Sequence, residues 1–473
     1  MVAVLGGLLF GYDTAVISGA EKGLQAFFLS APDFRYSDFM HGFTSSSALI
    51  GCIVGSGISG LFAGKFGRKR SLVFAGICFF ISAWGSMNPE SYLLPYGKPS
   101  WNLLVVFNLY RILGGIGVGM ASAICPMYIG EIAPSNIRGM LVSFNQFAII
   151  FGQLVVYFVN FLILGDHTNP VITSIGQGFS QVVSGDPWTI STGWRYMFGS
   201  ECVPAGLFTI LICFVPETPR YLVLTGQDGK ALRILTRING SEVAQQTLND
   251  IKNTMTEKTE KLFSFGFMCV FVGIMLSVFQ QAVGINAVLY YAPRIFTDMG
   301  MANPMMQTVI MGVVNITFTL VAVFTVEKLG RKPLLISGSI GMAIGAFGVA
   351  LTFGNDSLST VTMLSIMVYS ASFMFSWGPI CWVYMAELFP NTIRSSATAI
   401  AVAFQWIFNF IVSSTFVPLF NMHLTRGDDF GHWFTYGLYG VICVVAALFV
   451  WRLVPETKGK TLEDMTKLWR KQA

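Results

Sequence analysis

Three ionisable residues lie in stretches otherwise almost free of charge: Asp13 in "FGYDTAVISG" (10–19), Arg111 in "YRILGGIGVG" (110–119) and Glu201 in "GSECVPA" (199–205). Apolar surroundings cannot solvate a charge, so each of these needs a partner or a proton. An aspartate opposite an arginine allows two kinds of chemistry. It can be a static ion pair that fixes helix packing. It can also be a proton site, because burial favours the neutral acid, the guanidinium favours the carboxylate, and small movements change the balance. Glu201 is a second candidate carboxylate, read either as a modulator of the Asp13–Arg111 pair or as a packing residue.

A second group of residues is neutral. Gln146 and Gln153 are seven residues apart, which puts them on one face of a helix. Gln280, Gln281 and Asn286 surround Gly284, where a helix is expected to loosen. Asn315 and Gln405 stand deep in apolar runs, and Trp382 and Trp406 could cover a flat ligand face. An amide both donates and accepts hydrogen bonds, which suits a ligand with many hydroxyls. Taken singly, each amide also serves as hydrogen-bonding glue between helices. The glycines of 114–119 and the Gly378–Pro379 step mark places where helices bend or pack closely.

Other chemistries find little support. The four histidines (His41, His167, His423, His432) are scattered and form no metal-binding or triad-like cluster. The eight cysteines lie in or beside apolar runs without C-x-x-C spacing, and read as small buried hydrophobes. No cofactor, metal or enzymatic activity is expected.

The elements that must hold these residues are set by composition. The chain has 473 residues, 53% of them hydrophobic and only 11% charged, with a mean hydropathy of +0.63. A soluble domain carries about 25% charged residues. Windows of about 20 residues give twelve spans: 1–28, 42–64, 71–87, 101–123, 139–164, 194–215, 264–291, 303–327, 332–353, 360–383, 393–421 and 432–453. Lysine and arginine sort by side. Lys65, Arg68, Lys69, Arg70, Arg138, the 220–261 cluster, Lys328, Arg331, Lys332, Arg394 and the tail lie on the side of the termini. Lys22, Arg35, Lys98, Arg195, Arg294 and Arg426 lie opposite. The positive-inside bias therefore places both termini in the cytoplasm. The net charge of +5 follows the two membrane sides rather than forming a patch, so no nucleic-acid partner is expected. The apolar start has no basic leader and is interrupted by Asp13, so it does not read as a signal peptide; a start without its cytoplasmic lead-in is expected.

The two sets of six spans repeat each other. "GKFGRKR" (64–70) follows the second span and "EKLGRKP" (327–333) the eighth; "YIGEIAPSNIRG" (128–139) follows the fourth and "YMAELFPNTIR" (384–394) the tenth. Two unrelated motifs at matching places indicate internal duplication, as many secondary transporters show. The expected division is a first bundle over 1–216, a cytoplasmic linker over 217–262, a second bundle over 263–454 and a tail over 455–473. In the linker, Leu232, Leu235 and Ile238 alternate with Lys230, Arg233 and Arg237, a pattern of short amphipathic helices.

These motifs, together with "PETPRYL" (216–222), "QQAVGINAVLYY" (280–291) and "PETKGKTLE" (455–463), resemble the sugar porter family of the major facilitator superfamily along the whole chain. The segments 144–153 and 376–394 are most similar to the bacterial branch that carries D-xylose with protons. The resemblance implies an all-α membrane protein with twelve transmembrane helices in two pseudo-symmetric six-helix bundles, alternately open to each side. It implies import of a monosaccharide, D-xylose first, together with protons. The amides and tryptophans above match the family's sugar-contacting positions, as do Phe10, Tyr290 and Gly378. Proton-coupled members carry an aspartate at position 13, whereas the facilitators that resemble them carry asparagine. The resemblance also implies that Arg68, Glu131, Arg138 and Glu217, with their counterparts Arg331, Glu387, Arg394 and Glu456, form a network closing the cytoplasmic side. An uncoupled uniporter is the alternative reading, disfavoured by Asp13; a non-transporting sugar receptor is a weaker one. The expected setting is the plasma (inner) membrane, with a monomer in the bilayer.

Overall fold

The computed structural model describes residues 2–91, 94–133, 138–164, 192–254, 262–423, 430–458 and Trp469. The side chain of Arg138, Arg426, the linker residues 255–261 and the tail beyond Lys458 other than Trp469 lie outside the described residues. Among the described residues, twelve helices are long and apolar enough to cross a membrane. They are α1 (Val2–Leu29), α2 (Asp38–Phe66), α3 (Arg68–Met87), α4 (Trp101–Ile132), α5 (Arg138–Leu164) and α6 (Trp194–Phe214), then α7 (Phe267–Tyr290), α8 (Pro304–Leu329), α9 (Arg331–Thr352), α10 (Ser359–Met385), α11 (Asn391–Phe420) and α12 (Phe430–Leu453). No strand occurs among the described residues.

Several helices outrun the hydrophobic windows. α2 starts four residues early because Ser37 caps it, its side chain accepting from the Met40 backbone N–H. α3 and α9 begin at Arg68 and Arg331, inside the basic motifs that a hydropathy window excludes. α4 runs on to Ile132, carrying Glu131 to the start of α3, where it meets Arg68. The linker forms three short helices, Pro219–Leu224, Asp228–Asn239 and Ser241–Thr254. They share a small core of Leu222, Ala231, Leu235, Ala244 and Leu248, so the buried face is centred on Ala231 and Leu235, with Leu232 only partly covered.

Helix packing repeats with an offset of six. α1 lies on α5 as α7 lies on α11; α3 lies on α4 and α6 as α9 lies on α10 and α12. Across the molecule, α2 meets α11 and α5 meets α8, the same pairing under the pseudo-twofold. Membrane helices gain little by hiding apolar surface from lipid, so they depend on close backbone approach. Gly11 of α1 shows this: a β-carbon there would stand 1.8 Å from the Ile149 carbonyl oxygen of α5.

The duplicated motifs build one device twice. Gly67 and Gly330 precede α3 and α9 and have no side chain with which to cap them. A carboxylate from elsewhere in each half does so. Glu217 accepts from the backbone N–H groups of Arg68 and Lys69 at 3.1 and 3.2 Å. Glu456 accepts from those of Arg331 and Lys332 at 3.1 and 2.9 Å. Anions suit such positions because the first helical N–H groups point outward unpaired.

Replacing Glu217 or Glu456 by glutamine should lower thermal stability modestly, by about 0.5–1.5 kcal/mol at these partly exposed caps. The Glu456 contribution also has a sign in pH. Burial pushes its carboxyl up, but the N–H groups of Lys458, Lys332, Arg331 and Thr457 together hold it below the usual range. A depressed acid stabilises the fold above its unfolded pKa of about 4.3 and loses that contribution as pH falls through the folded value. Melting curves in detergent from about pH 6 to 3 should therefore converge for wild type and Glu456→Gln at the acid end. Parallel curves would remove the assignment.

Candidate functional site

Asp13 and Arg111 meet inside the first bundle. One guanidinium nitrogen of Arg111 donates to Asp13 Oδ1 at 2.6 Å, and the other donates to the Asp13 backbone carbonyl at 3.3 Å. Asp13 is 0% exposed and Arg111 2%, so water does not share this pair. The guanidinium also lies over the Phe198 ring, 5.0 Å from its centroid. Glu201 is buried beside them, close enough to interact electrostatically with both. It sits where α6 is interrupted, between the helical segments Trp194–Ser200 and Cys202–Phe214. Asp13 Oδ2 and both carboxyl oxygens of Glu201 accept from no N–H or hydroxyl among the described residues, and the two carboxyl groups lie close enough to share a hydrogen bond when one is protonated. Two carboxylates thus stand beside one guanidinium, and binding a single proton brings the set to neutrality.

The neutral residues line a cavity between the bundles. Phe10, Gln146, Gln153, Gln280, Gln281, Asn286, Tyr290, Gly378, Trp382, Gln405 and Trp406 all reach its wall. Asn315 does not. It is buried between α8 and α10, where its side-chain oxygen accepts from the Ser370 hydroxyl at 2.6 Å. In the cavity the amides form a chain: Gln405 donates to Gln280, Gln281 donates to Gln280 at 3.4 Å, and Asn286 donates to Gln281. Gln280 itself donates to the backbone carbonyls of Trp377 and Gly378 at 3.1 and 3.3 Å, which fixes its side chain. Gln153 Oε1, Gln405 Oε1 and Trp406 Nε1 are buried with no partner among the described residues. Buried polar atoms are rarely left so; here they present two acceptors and one donor to whatever fills the space.

Broken helices position these groups. α7 stops at Ala282 and resumes at Ile285, with Gly284 in the left-handed region at φ 92°. A side chain there would be strained, and its β-carbon would lie 2.6 Å from the Tyr439 ring. The break frees the Val283 carbonyl, which the Tyr369 hydroxyl caps. α10 breaks at Ser376, and the Trp377 indole N–H is anchored on Ser339 Oγ at 2.7 Å. Phe10 and Trp406 then pack across the gap, ring centroids 5.6 Å apart, joining α1 of one bundle to α11 of the other.

The cavity also includes Thr14, Ile149, Ile150, Phe373, Met374 and Asn409, which the sequence analysis passed over. Helical periodicity could have found most of them. Thr14 is one turn beyond Phe10, Asn409 one turn beyond Gln405, and Ile149 and Ile150 one turn beyond Gln146. α1 therefore has two roles: Phe10 and Thr14 face the cavity while Asp13, between them in sequence, faces Arg111.

At the end of the bundles where the basic motifs lie, Arg68 donates to Glu131 at 2.7 Å and Arg331 to Glu387 at 2.8 and 3.1 Å. Each of these pairs stays within one half. Glu217 and Glu456 act as helix caps rather than as partners of arginine side chains, and Arg394 donates to the Phe389 carbonyl. The opposite end carries a group that sequence reading missed. Glu21 is buried in α1 and accepts from Arg294, beyond α7, at 2.8 Å; its carboxylate also lies 2.8 Å from Nε2 of His41 in α2. His41, in the first turn of α2, is thus part of a buried network.

Residues 1–469 match the model of the family described as Sugar (and other) transporter. The chain is 46% identical to the D-xylose-proton symporter of Escherichia coli (strain K12), over 99% of this chain and 94% of that protein. It is 37% identical to the arabinose-proton symporter of Bacillus subtilis (strain 168), over 99% and 94%. The glucose facilitated diffusion protein of Zymomonas mobilis is 34% identical, over 100% and 97%. Among solved structures, the inward-open xylose transporter of E. coli superposes with a TM-score of 0.84 at 46% identity, covering 99% of this chain and 98% of that one. The same symporter bound to 6-bromo-6-deoxy-D-glucose gives 0.81 over the same shares. With twelve apolar helices arranged as in these structures and a family match over almost its whole length, this chain belongs to the sugar transporter family of the major facilitator superfamily.

Proposed function

We propose that this protein imports a monosaccharide, D-xylose before other sugars, in symport with protons. The observation that carries the reading is α1: it lines the amide cavity with Phe10 and Thr14 and holds, between them, the carboxylate paired to Arg111. Sugar hydroxyls would take the positions facing Gln153, Gln405 and Trp406, with Trp382 covering an apolar face. Gln146, Gln280, Gln281 and Asn286 would supply the remaining donors and acceptors. A proton arriving at Asp13, with Glu201 beside it, would loosen the hold of Arg111 and let α1 shift. Asn315 would support the wall through Ser370 rather than touch sugar.

In this reading the bundles 1–216 and 263–454 rock about the cavity, joined by the linker 217–262, with tail 455–473 and both termini in the cytoplasm. Arg68, Glu131, Arg138 and Glu217 would approach Arg331, Glu387, Arg394 and Glu456 when the cytoplasmic side closes. A monomer in the plasma membrane contains every residue the cycle needs. The proposed partners are the sugar, protons and the bilayer.

Uptake into proteoliposomes tests the coupling. If one proton enters with each sugar, a potential of 100 mV supplies about 2.3 kcal/mol and roughly 50-fold accumulation. Accumulation insensitive to a protonophore would sink the symport reading. Gln281→Ala should weaken sugar binding by about 1–3 kcal/mol, or roughly 5- to 150-fold, with little change in melting temperature. Undiminished binding would move the site elsewhere.

Asp13→Asn separates binding from coupling. Asparagine has the shape of aspartate but cannot take up and release a proton, and it weakens the charge-assisted bond to Arg111 while Glu201 remains beside the guanidinium, so some stability is lost. The purified variant should bind sugar and exchange it, yet neither accumulate it nor alkalinise the outside medium when sugar is added. Proton-driven accumulation by folded Asp13→Asn protein would refute the role and shift attention to Glu201.

A further inference from the structure

Resting on the alternating-access reading above, we infer that Glu21 and Arg294 form an outer latch that holds the extracellular ends of the two bundles together. Arg294 belongs to the second half, in the short helix Ala292–Asp298 that follows α7. Its guanidinium enters the first half, donating to Glu21 Oε1 at 2.8 Å and Gln25 Oε1 at 3.1 Å, both on α1. Glu21 is held from behind by His41 of α2, whose other ring nitrogen lies 3.1 Å from the Tyr36 hydroxyl. Asn421, at the end of α11, continues the chain: Arg294 donates to it at 3.2 Å, and it donates to Asp38 of α2 at 2.9 Å. Both outer ends of the second half are thereby tied to the first.

Burial makes this more than a surface pair. Glu21 is 1% exposed, His41 0% and the Arg294 side chain 11%. The backbones close up beside it, where a β-carbon on Gly42 of α2 would lie 2.2 Å from the Ser414 carbonyl of α11. The outer ends cannot part while Arg294 is in this cup. Once they part, water solvates the two charges separately, so the contact has two stable arrangements and can act as a switch. The rims also differ. Among the described residues the Arg68–Glu131 and Arg331–Glu387 pairs each stay within one half, whereas Glu21–Arg294 crosses between halves. The latch therefore biases the molecule toward the inward-facing side, and apparent affinity for outside sugar falls with the fraction of molecules that face outward.

Hydrogen–deuterium exchange on the full-length protein in detergent or nanodiscs tests this, with wild type, Arg294→Gln and Asn421→Ala compared with and without xylose. Arg294→Gln should raise uptake about twofold or more in peptides covering Glu21–His41 and Ala292–Asp298, and lower it in cytoplasmic-rim peptides around Glu131 and Glu387. Asn421→Ala, which leaves the buried carboxylate paired, should shift the same peptides in the same directions less far, and serves if Arg294→Gln does not fold. The opposite movement of the two rims is the signature, since loss of a merely structural contact would loosen the outer peptides alone. A rise at the outer rim with no fall at the inner one, or no change at either, would overturn the latch. If wild type itself shows no reciprocal change with xylose while these variants do not either, the alternating-access reading falls with it; a reciprocal change in wild type alone sinks only the latch.

Discussion

A charge inside a membrane must be matched, and the placement of helices in this protein follows from where the matching occurs. Asp13 and Arg111 come from helices far apart in sequence, and their 2.6 Å bond fixes how α1 crosses α4. Glu201 adds a second buried carboxyl, so the set carries an excess negative charge unless one of the two acids holds a proton. In water such an imbalance would be trivial; in a low-dielectric interior it makes the local structure depend on whether a proton is present. A structural ion pair would be built for balance. This set of two acids and one guanidinium balances only with a proton bound.

The rest of the fold provides a lever for that dependence. α1 packs against α5 so closely that Gly11 has no room for a side chain, so the two move as a unit. The cavity face of the same helix carries Phe10, whose ring meets Trp406 of the other bundle. A displacement of α1 at Asp13 is therefore felt at the wall that would cover a sugar. Tyr290 adds a second connection, since it lines the cavity and lies within electrostatic reach of Asp13 and Arg111. Coupling needs no long pathway when the two sites share a helix turn.

The twelve spans, their duplication and the cavity residues were legible because each left a local signal: apolar length, repeated motifs, and amides where amides are costly. What escaped notice depends on contacts between distant segments. Nothing in "PETPRYL" marks Glu217 as the cap of a helix that begins about 150 residues earlier. Asn315 looked like Gln405, a lone amide in an apolar run, and only the proximity of Ser370 shows that its oxygen is already taken. His41 looked peripheral because it is next to a helix start; its burial comes from Glu21 and Tyr36 folding over it.

The two rims show how one duplicated architecture can still be asymmetric. Duplication gave both halves the same caps and the same Arg–Glu pairs at the starts of α3 and α9, each made within its own half. At the opposite end of the bundles Glu21 on α1 and Arg294, in the short helix after α7, carry opposite charges and attract one another across the halves. A pair of like charges at those positions would have pushed these ends apart. Opposite charges there break the symmetry in energy while keeping it in shape, and a transporter whose two faces do different work requires that break.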